Sequence, residues 1–184
     1  MKIVSGKLKG RNLLSPNNDF IRPTSSRAKE MVFNTLNSIL KKKQKYYSDL
    51  LIIDFFCGVG SLGIEAISRG GKRVLFIDKS MEAIKLCKKN CENHNILEFS
   101  EFICTDIINS KFQKYPRVDI FFCDPPYMKY SLHKILEKIS RFLKSDSFGV
   151  IELPIQQEGK NFSGFDLIKT KQISRSKFLF LKKK

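Results

Sequence analysis

Asp54-Phe-Phe-Cys-Gly-Val-Gly-Ser-Leu-Gly63 is the stretch on which the fold turns. It grows out of Leu50-Leu-Ile-Ile-Asp-Phe-Phe56, a short apolar run rich in β-branched and aromatic residues, which reads as a buried strand. It leads into Ser61 to Arg69, where Leu62, Ile64, Ala66 and Ile67 precede Gly70-Gly71, so a helix with a glycine stop is expected. A GxGxxG (Gly58, Gly60, Gly63) placed between a strand and a helix has the context of a nucleotide-cofactor turn. Glycine there lets the backbone approach a ligand with no Cβ in the way. A tight structural turn without a ligand is the alternative.

Outward from that turn the pattern repeats. Arg73-Val-Leu-Phe-Ile77 is a second strand ending at Asp78, and Ser80 can cap a helix whose apolar face carries Ile84, Cys87 and Cys91. Glu101 to Cys104 is a weaker third strand leading to Asp106. Val118-Asp-Ile-Phe-Phe-Cys123 is a fourth, stopped by Asp124-Pro-Pro. Leu132 to Leu143 reads as a helix through Leu132, Ile135, Leu136, Ile139 and Leu143, and Phe148 to Leu153 as a fifth strand closed by Pro154. Strands alternating with helices at this spacing predict βαβ units, hence an α/β chain with a parallel sheet and helices on both faces. Phe165 to Ile173 and Lys177 to Leu181 lie too close together for a crossover helix and predict an antiparallel pair. Ahead of the sheet come a basic segment and a helix from Ser25 to Leu40, striped by Val32, Phe33, Leu36, Ile39 and Leu40.

The chain has 184 residues, 42% of them hydrophobic, which suits one domain with a full core. Its longest apolar run is far below the roughly 20 residues that span a bilayer. The N-terminus lacks an apolar signal region, so a soluble, cytoplasmic protein is expected. The five cysteines (Cys57, Cys87, Cys91, Cys104, Cys123) are scattered without a CxxC pair. Cys87 and Cys91 share a helix face near His94, but structural zinc spacings are missing; they read as small core residues, and no metal is expected. Charge is informative. Residues 1–50 carry 11 basic against 3 acidic side chains, residues 156–184 carry 8 against 2, and residues 51–155 carry 15 against 13. A nearly neutral body with two basic ends suits a polyanionic partner, although lysine runs such as Lys41–Lys43 are also ordinary solvated surface.

The acidic residues at the strand ends suggest which cofactor. Asp54 would repel a pyrophosphate but can hold the cationic methionine end of S-adenosylmethionine. Asp78 can accept from ribose hydroxyls. Asp106 can accept from an adenine amine or merely cap a helix. Phe55, Lys79 and Ile107, next to these carboxylates, complete the expected cofactor surface with Gly58 and Gly60. Asp124-Pro125-Pro126-Tyr127 then supplies a chemistry. An exocyclic base amine is a poor nucleophile because its lone pair is delocalised into the ring. Hydrogen bonds from that amine to the Asp124 carboxylate and to a carbonyl of the Pro-Pro segment would localise the lone pair. The prolines hold the carbonyl rigidly, and Tyr127 can stack on an extruded base. On its own the motif could be a plain turn; behind the glycine turn and Asp78 it reads as a site.

At this point the chain resembles the RsmD-type bacterial 16S rRNA (guanine-N2)-methyltransferases. The likeness rests on Ser5-Gly-Lys-Leu-Lys-Gly-Arg11, Arg22-Pro-Thr-Ser-Ser-Arg-Ala-Lys-Glu30, Asp54 to Gly70 and Asp124 to Tyr127. It implies a Rossmann-like class I methyltransferase fold with a mostly parallel seven-stranded sheet, an antiparallel C-terminal strand and a small N-terminal extension. Residues 1–45 would be a basic hairpin and helix, and residues 46–184 the catalytic core of a single domain. It implies methylation of the N2 of one guanine in 16S rRNA, within the small ribosomal subunit or an assembly intermediate, by a monomer. Arg22 and Thr24 would border the methionine end of the cofactor, and Lys7, Lys9, Arg11 and Arg27 would face RNA phosphates. Two departures stand out: Cys57 replaces a usual small Ala or Ser, and Ile173-Ser-Arg-Ser lacks the Tyr-Gly pair expected before the last strand. An adenine-N6 or cytosine-N4 DNA methyltransferase would use the same motif, but the chain has no room for a separate target-recognition domain. An NAD-dependent oxidoreductase would leave Asp54 and Asp124 to Tyr127 without work.

Overall fold

The apolar runs around the glycine turn become adjacent strands of one twisted sheet in the computed structural model, which describes residues 1–15, 25–109, 116–127, 129–157, 162 and 164–184. In chain order the elements are α1 (Ser26–Lys43), β1 (Ile52–Phe55), α2 (Ser61–Ser68), β2 (Val74–Asp78), α3 (Met81–Asn93), β3 (Ser100–Cys104), β4 (Val118–Cys123), α4 (Leu132–Ser140), β5 (Leu143–Pro154), β6 (Phe165–Ile173) and β7 (Ser176–Lys183). The sheet order is β3-β2-β1-β4-β5-β7-β6. The first five strands in that order run parallel, and β7 runs antiparallel to both of its neighbours. Strand order reverses between β1 and β4, the switch point where open α/β sheets bind ligands.

Each face of the sheet has its own apolar cluster. One joins Ile52, Val74, Phe76, Ile120 and Phe122 to α1, α2 and α3; the other joins Ile53, Leu75, Phe121, Ile151 and Leu179 to α4. Central strands buried on both sides therefore carry unbroken apolar sequence rather than alternation. Helix α1 starts where the Ser25 side chain accepts from Ala28 N, and it ends at Gln44, which takes a left-handed φ of 53° behind Lys41–Lys43.

Several element boundaries differ from expectation; α1 runs on to Lys43, and β5 begins at Leu143 rather than Phe148. The fourth helix stops at Ser140 instead of reaching Leu143, because Phe142 and Leu143 are drawn into the sheet. The Phe142 carbonyl accepts from Val118 N at 2.7 Å, and Leu143 lies opposite Val118. Apolar side chains suit a helix face and a strand equally, so the run itself did not mark the change. The last strand forms without the Tyr-Gly pair: Ser174 takes a left-handed φ of 52° in the turn and β7 follows. Among the described residues, no helix is long and apolar enough to cross a membrane, and no cluster of His, Cys, Asp or Glu is placed to hold a metal.

The N-terminal segment folds back on itself through an antiparallel bridge between Lys2 and Asn12, and it is held against α2 by Glu65. That carboxylate is fully buried and accepts from Val4 N (2.8 Å), Ser5 N (3.0 Å) and Arg69 Nε (2.9 Å). The equally buried Lys29 ammonium lies 3.9 Å away and donates to the Lys2 carbonyl. Removing one partner of a buried ionic network strands the others without solvation, at about 3–5 kcal/mol. Glu65→Ala is therefore expected to lower unfolding free energy by about that amount in urea titration and to expose residues 1–12 to protease. A loss of stability with unchanged N-terminal protection would show that the segment is held by its apolar contacts alone.

Candidate active site

The C-terminal ends of β1, β2, β4 and β5 meet along one edge of the sheet, and the acidic residues sit there. Opposite Phe55 stand Ile77 on one side and Cys123 on the other, so Asp78 and Asp124 flank the start of the glycine turn. The turn is held by carboxylates. Asp54 Oδ2 accepts from Gly63 N at 2.8 Å inside α2, and Asp78 Oδ2 accepts from Gly58 N at 3.0 Å. Asp78 Oδ1 also accepts from Ser80 N at 2.9 Å. A carboxylate has about four lone-pair positions, so Asp78 keeps capacity for a ligand hydroxyl. Phe56, a residue with a side chain, is held at φ 56°, which is local strain of the kind found at binding sites.

Burial governs the charge of this edge. Desolvation raises the Asp54 carboxyl to about 7, partly offset by the Gly63 N–H and reinforced by the Asp78 charge. Asp124 is pushed well above the usual carboxylate range by burial first, then by Glu152 and Asp54. Its own N–H donates to the Phe55 carbonyl at 3.4 Å, which ties the motif to β1. At Asp106, burial works upward, but bonds from Ile108 N and from the side chain and N–H of Asn109 bring the carboxyl below its ordinary value. Asp106 thus caps the turn after β3.

Other predicted residues fall in varied places. Tyr127 is 42% exposed, while its hydroxyl is fixed between Glu152 Oε1 (3.1 Å) and Ser176 Oγ (3.0 Å). Pro125 is buried and Pro126 exposed. The side chains of Phe55 and Ile107 lie in the core cluster on the α4 face, while Lys79 is exposed. Lys9, Arg11 and Arg27 are exposed. Lys7 N donates to the carbonyl of Ser68, the last residue of α2, and its ammonium sits 4.5 Å from the Phe99 ring just before β3. That position is at the opposite edge of the sheet from Asp124. Arg22 and Thr24 lie outside the described residues. Sequence reading passed over Glu152, whose signal was a single charge inside an apolar strand. It also passed over Asn90, buried on α3, which accepts from Leu14 N and donates to the Leu14 and Val59 carbonyls, tying the glycine turn to the N-terminal segment.

A sheet of this order, with a carboxylate-pinned glycine turn after β1 and Asp-Pro-Pro-Tyr after β4, defines a Rossmann-like class I methyltransferase. The family described as conserved hypothetical protein 95 matches residues 1–182. The chain belongs to that family, the RsmD type. Ribosomal RNA small subunit methyltransferase D of Buchnera aphidicola is 33% identical over 154 residues, covering 82% of this chain and 76% of that protein. The Escherichia coli protein of the same name is 26% identical over 178 residues, covering 91% and 79%. Among solved structures, yhhF from Escherichia coli superposes with a TM-score of 0.84 at 22% identity, covering 100% of this chain and 98% of that one, a likeness of fold.

The two turn glycines are constrained differently. Gly58 has φ 53° with open space where a Cβ would stand; Gly60 has φ 82°, and a Cβ there would lie 2.5 Å from Cys87 Sγ. Gly58→Ala should cost only the left-handed backbone, about 1–2 kcal/mol, and Gly60→Ala distinctly more in the same denaturation experiment. Equal losses would mean that backbone conformation alone, and not the packing of α3, dictates glycine at 60.

Proposed function

We propose that this protein transfers a methyl group from S-adenosylmethionine to the exocyclic N2 of a guanine in 16S rRNA of the small ribosomal subunit. The observation that carries the reading is the Asp124–Tyr127 motif at the end of β4, tied by its first residue to β1 and by its last to β5 and β7. The relatives named for small-subunit rRNA methylation support the substrate, and the excess of basic residues at both ends of the chain supports a polyanion. One domain acting as a monomer in the cytoplasm suffices for this reaction. The exposed Lys9, Arg11 and Arg27, with Lys7, would meet RNA phosphates.

The residues present fit the cofactor. Gly58 faces open space at the turn, so a ligand can approach the backbone, and Asp54 and Asp78 bracket that turn with carboxylates. Asp54, with Arg22 and Thr24 as the family resemblance implies, would hold the methionine end, Asp78 the ribose, and Asp106 with Ile107 the adenine side; Phe55 and Lys79 would flank them. When bound, S-adenosylmethionine supplies an electrophilic methyl group on a sulfonium. The chain's own residues do the rest. Ionised Asp124 and a Pro125–Pro126 carbonyl accept from the base amine and aim its lone pair, while the Tyr127 ring, fixed through its hydroxyl, offers a stacking face. Orientation rather than strong base catalysis lowers the barrier.

The test is transfer of labelled methyl from S-adenosylmethionine to unmethylated small subunits, naked 16S rRNA and duplex DNA in parallel. Label recovered as N2-methylguanine in rRNA is expected, and Asp124→Ala should abolish it while cofactor binding persists. Label in DNA alone would favour the adenine-N6 or cytosine-N4 alternative; full turnover by Asp124→Ala would remove the motif from the mechanism.

Asp54 adds a pH dependence. Its folded value of about 7 exceeds the ordinary aspartate value of 3.8. The folded chain thus holds a proton that the unfolded chain has lost between about pH 4 and 7, and the stability this gives disappears as pH rises through 7. A cationic ligand end prefers the ionised form, so cofactor affinity should fall about tenfold per pH unit below about 7. Calorimetry should show proton release near pH 7 and a flat profile for Asp54→Asn. A wild-type affinity independent of pH from 6 to 8 would detach Asp54 from the cofactor's cationic end.

A further inference from the structure

Glu152 is the one charged side chain in the buried stretch Ser147–Pro154 of β5, and it is only 8% exposed. Its Oε1 accepts from the Tyr127 hydroxyl at 3.1 Å. Its Oε2 is buried and meets no hydrogen-bond donor among the described residues. A buried carboxylate oxygen without a donor is costly, and it persists where something outside the fold supplies the donor. The position of Glu152 indicates what that is. Strands β4 and β5 run parallel with Cys123 opposite Ile151, so Glu152 is level with Asp124, the first residue of the motif. The two carboxylates are near enough for the Glu152 charge to act on Asp124.

We propose that Glu152 is a second base-reading acceptor, its Oε2 taking the ring N1–H of the guanine whose exocyclic amine donates to Asp124. The inference rests on the methyl-transfer reading above and deepens it. On its pairing edge guanine presents N1–H and the N2 amine side by side, both donors. Adenine and cytosine present an amine beside a bare ring nitrogen, which is an acceptor. A wall of two carboxylate oxygens is satisfied by two adjacent donors. It is opposed by a lone pair, which leaves Oε2 unpaired and repelled. A site built to bond a substrate N–H rejects analogues lacking it far more strongly than a shape-matched pocket does. The pair Asp124–Glu152 therefore selects guanine from the bases whose exocyclic amines the same motif could serve.

Glu152 could instead act only through Tyr127, by holding its hydroxyl. A double-mutant cycle separates the two roles. The full chain is assayed as wild type, E152L, E152Q, Y127F and Y127F/E152L on unmethylated small subunits, with product nucleosides identified and kcat and KM resolved. Cofactor dissociation constants serve as the control for an intact fold. E152L is expected to lower kcat/KM by about 10- to 100-fold with cofactor binding unchanged. E152Q, which keeps one neutral acceptor oxygen, should fall by less, about three- to tenfold. Y127F/E152L should lose about tenfold or more beyond Y127F alone. If the double variant matches Y127F, Glu152 is only a support for the tyrosine and the proposal fails; wild-type kcat/KM in E152L also overturns it. Should E152L lose cofactor binding, E152Q in the wild-type and Y127F backgrounds decides by the same criteria. Failure of the underlying reading shows elsewhere: the wild-type arm itself would yield no methylated guanine.

Discussion

A fully buried carboxylate, Glu65, stands where three parts of the chain converge, and the position of the glycine turn depends on it. Helix α2 has eight residues, all buried, and it begins directly at the turn. A short helix with no exposed face has little intrinsic stability and is placed by its neighbours. On the inner side, Asp54 holds Gly63 N; on the outer side, Glu65 gathers Val4 N, Ser5 N, the Arg69 guanidinium and the Lys29 ammonium. Burial lowers the Lys29 pKa, with the Glu65 charge opposing and Arg69 assisting, so the lysine is tolerated at this depth only in company. Arg69 also covers the Phe33 ring of α1, with its guanidinium carbon 4.5 Å from the centroid. One side chain thus couples the N-terminal segment, α1 and α2, and through α2 it supports the glycine turn.

Much of this was legible in the sequence, and what was missed has physical causes. The βαβ succession could be read because buried parallel strands are continuous apolar runs and each ends at a glycine, an aspartate or a proline. Strand β4 begins and ends where its sequence pattern does, at Val118 and Cys123. The shift from α4 to β5 was not legible, since Phe142 and Leu143 satisfy both periodicities and only the pairing with Val118 decides. Nor was the insertion of β7 between β5 and β6, because order within a sheet is a long-range property. At the candidate site, Asp54, Asp78 and Asp124 were readable as acids at strand ends. Glu152, Lys29 and Glu65 were not, because a buried charge is the rare exception to the apolar pattern on which the reading relies. Asp106 was read two ways, and its bonds to Ile108 and Asn109 realise the cap.

Charge is divided in space as well as in sequence. The chain carries +16 overall, yet the candidate edge gathers Asp54, Asp78, Asp124 and Glu152. Basic surfaces attract a polyanion over distances set by salt screening. The acidic edge does the opposite to phosphate and welcomes only cations and neutral groups rich in N–H. Under the proposed function, the nucleic-acid backbone would be held by the basic periphery, and the base edge would be the part the acidic edge accepts. A cofactor with a positively charged end would satisfy the same field.

Burial makes that field conditional. With Asp54 raised to about 7 and Asp124 raised well above its ordinary range, this edge retains protons and avoids the repulsion of several clustered carboxylates. A cation or an N–H donor beside Asp54 or Asp124 would favour the ionised carboxylate. Under the proposed function, these carboxylates would be strongest as acceptors once ligands are bound, where acceptance would orient the reacting amine. The Tyr127 hydroxyl, shared between Glu152 and Ser176, keeps the aromatic face of the same motif anchored to β5 and β7 while that charge changes. The antiparallel tail of the sheet is thus more than an edge closure: through Ser176 it extends the rigidity of the sheet to the last residue of the motif.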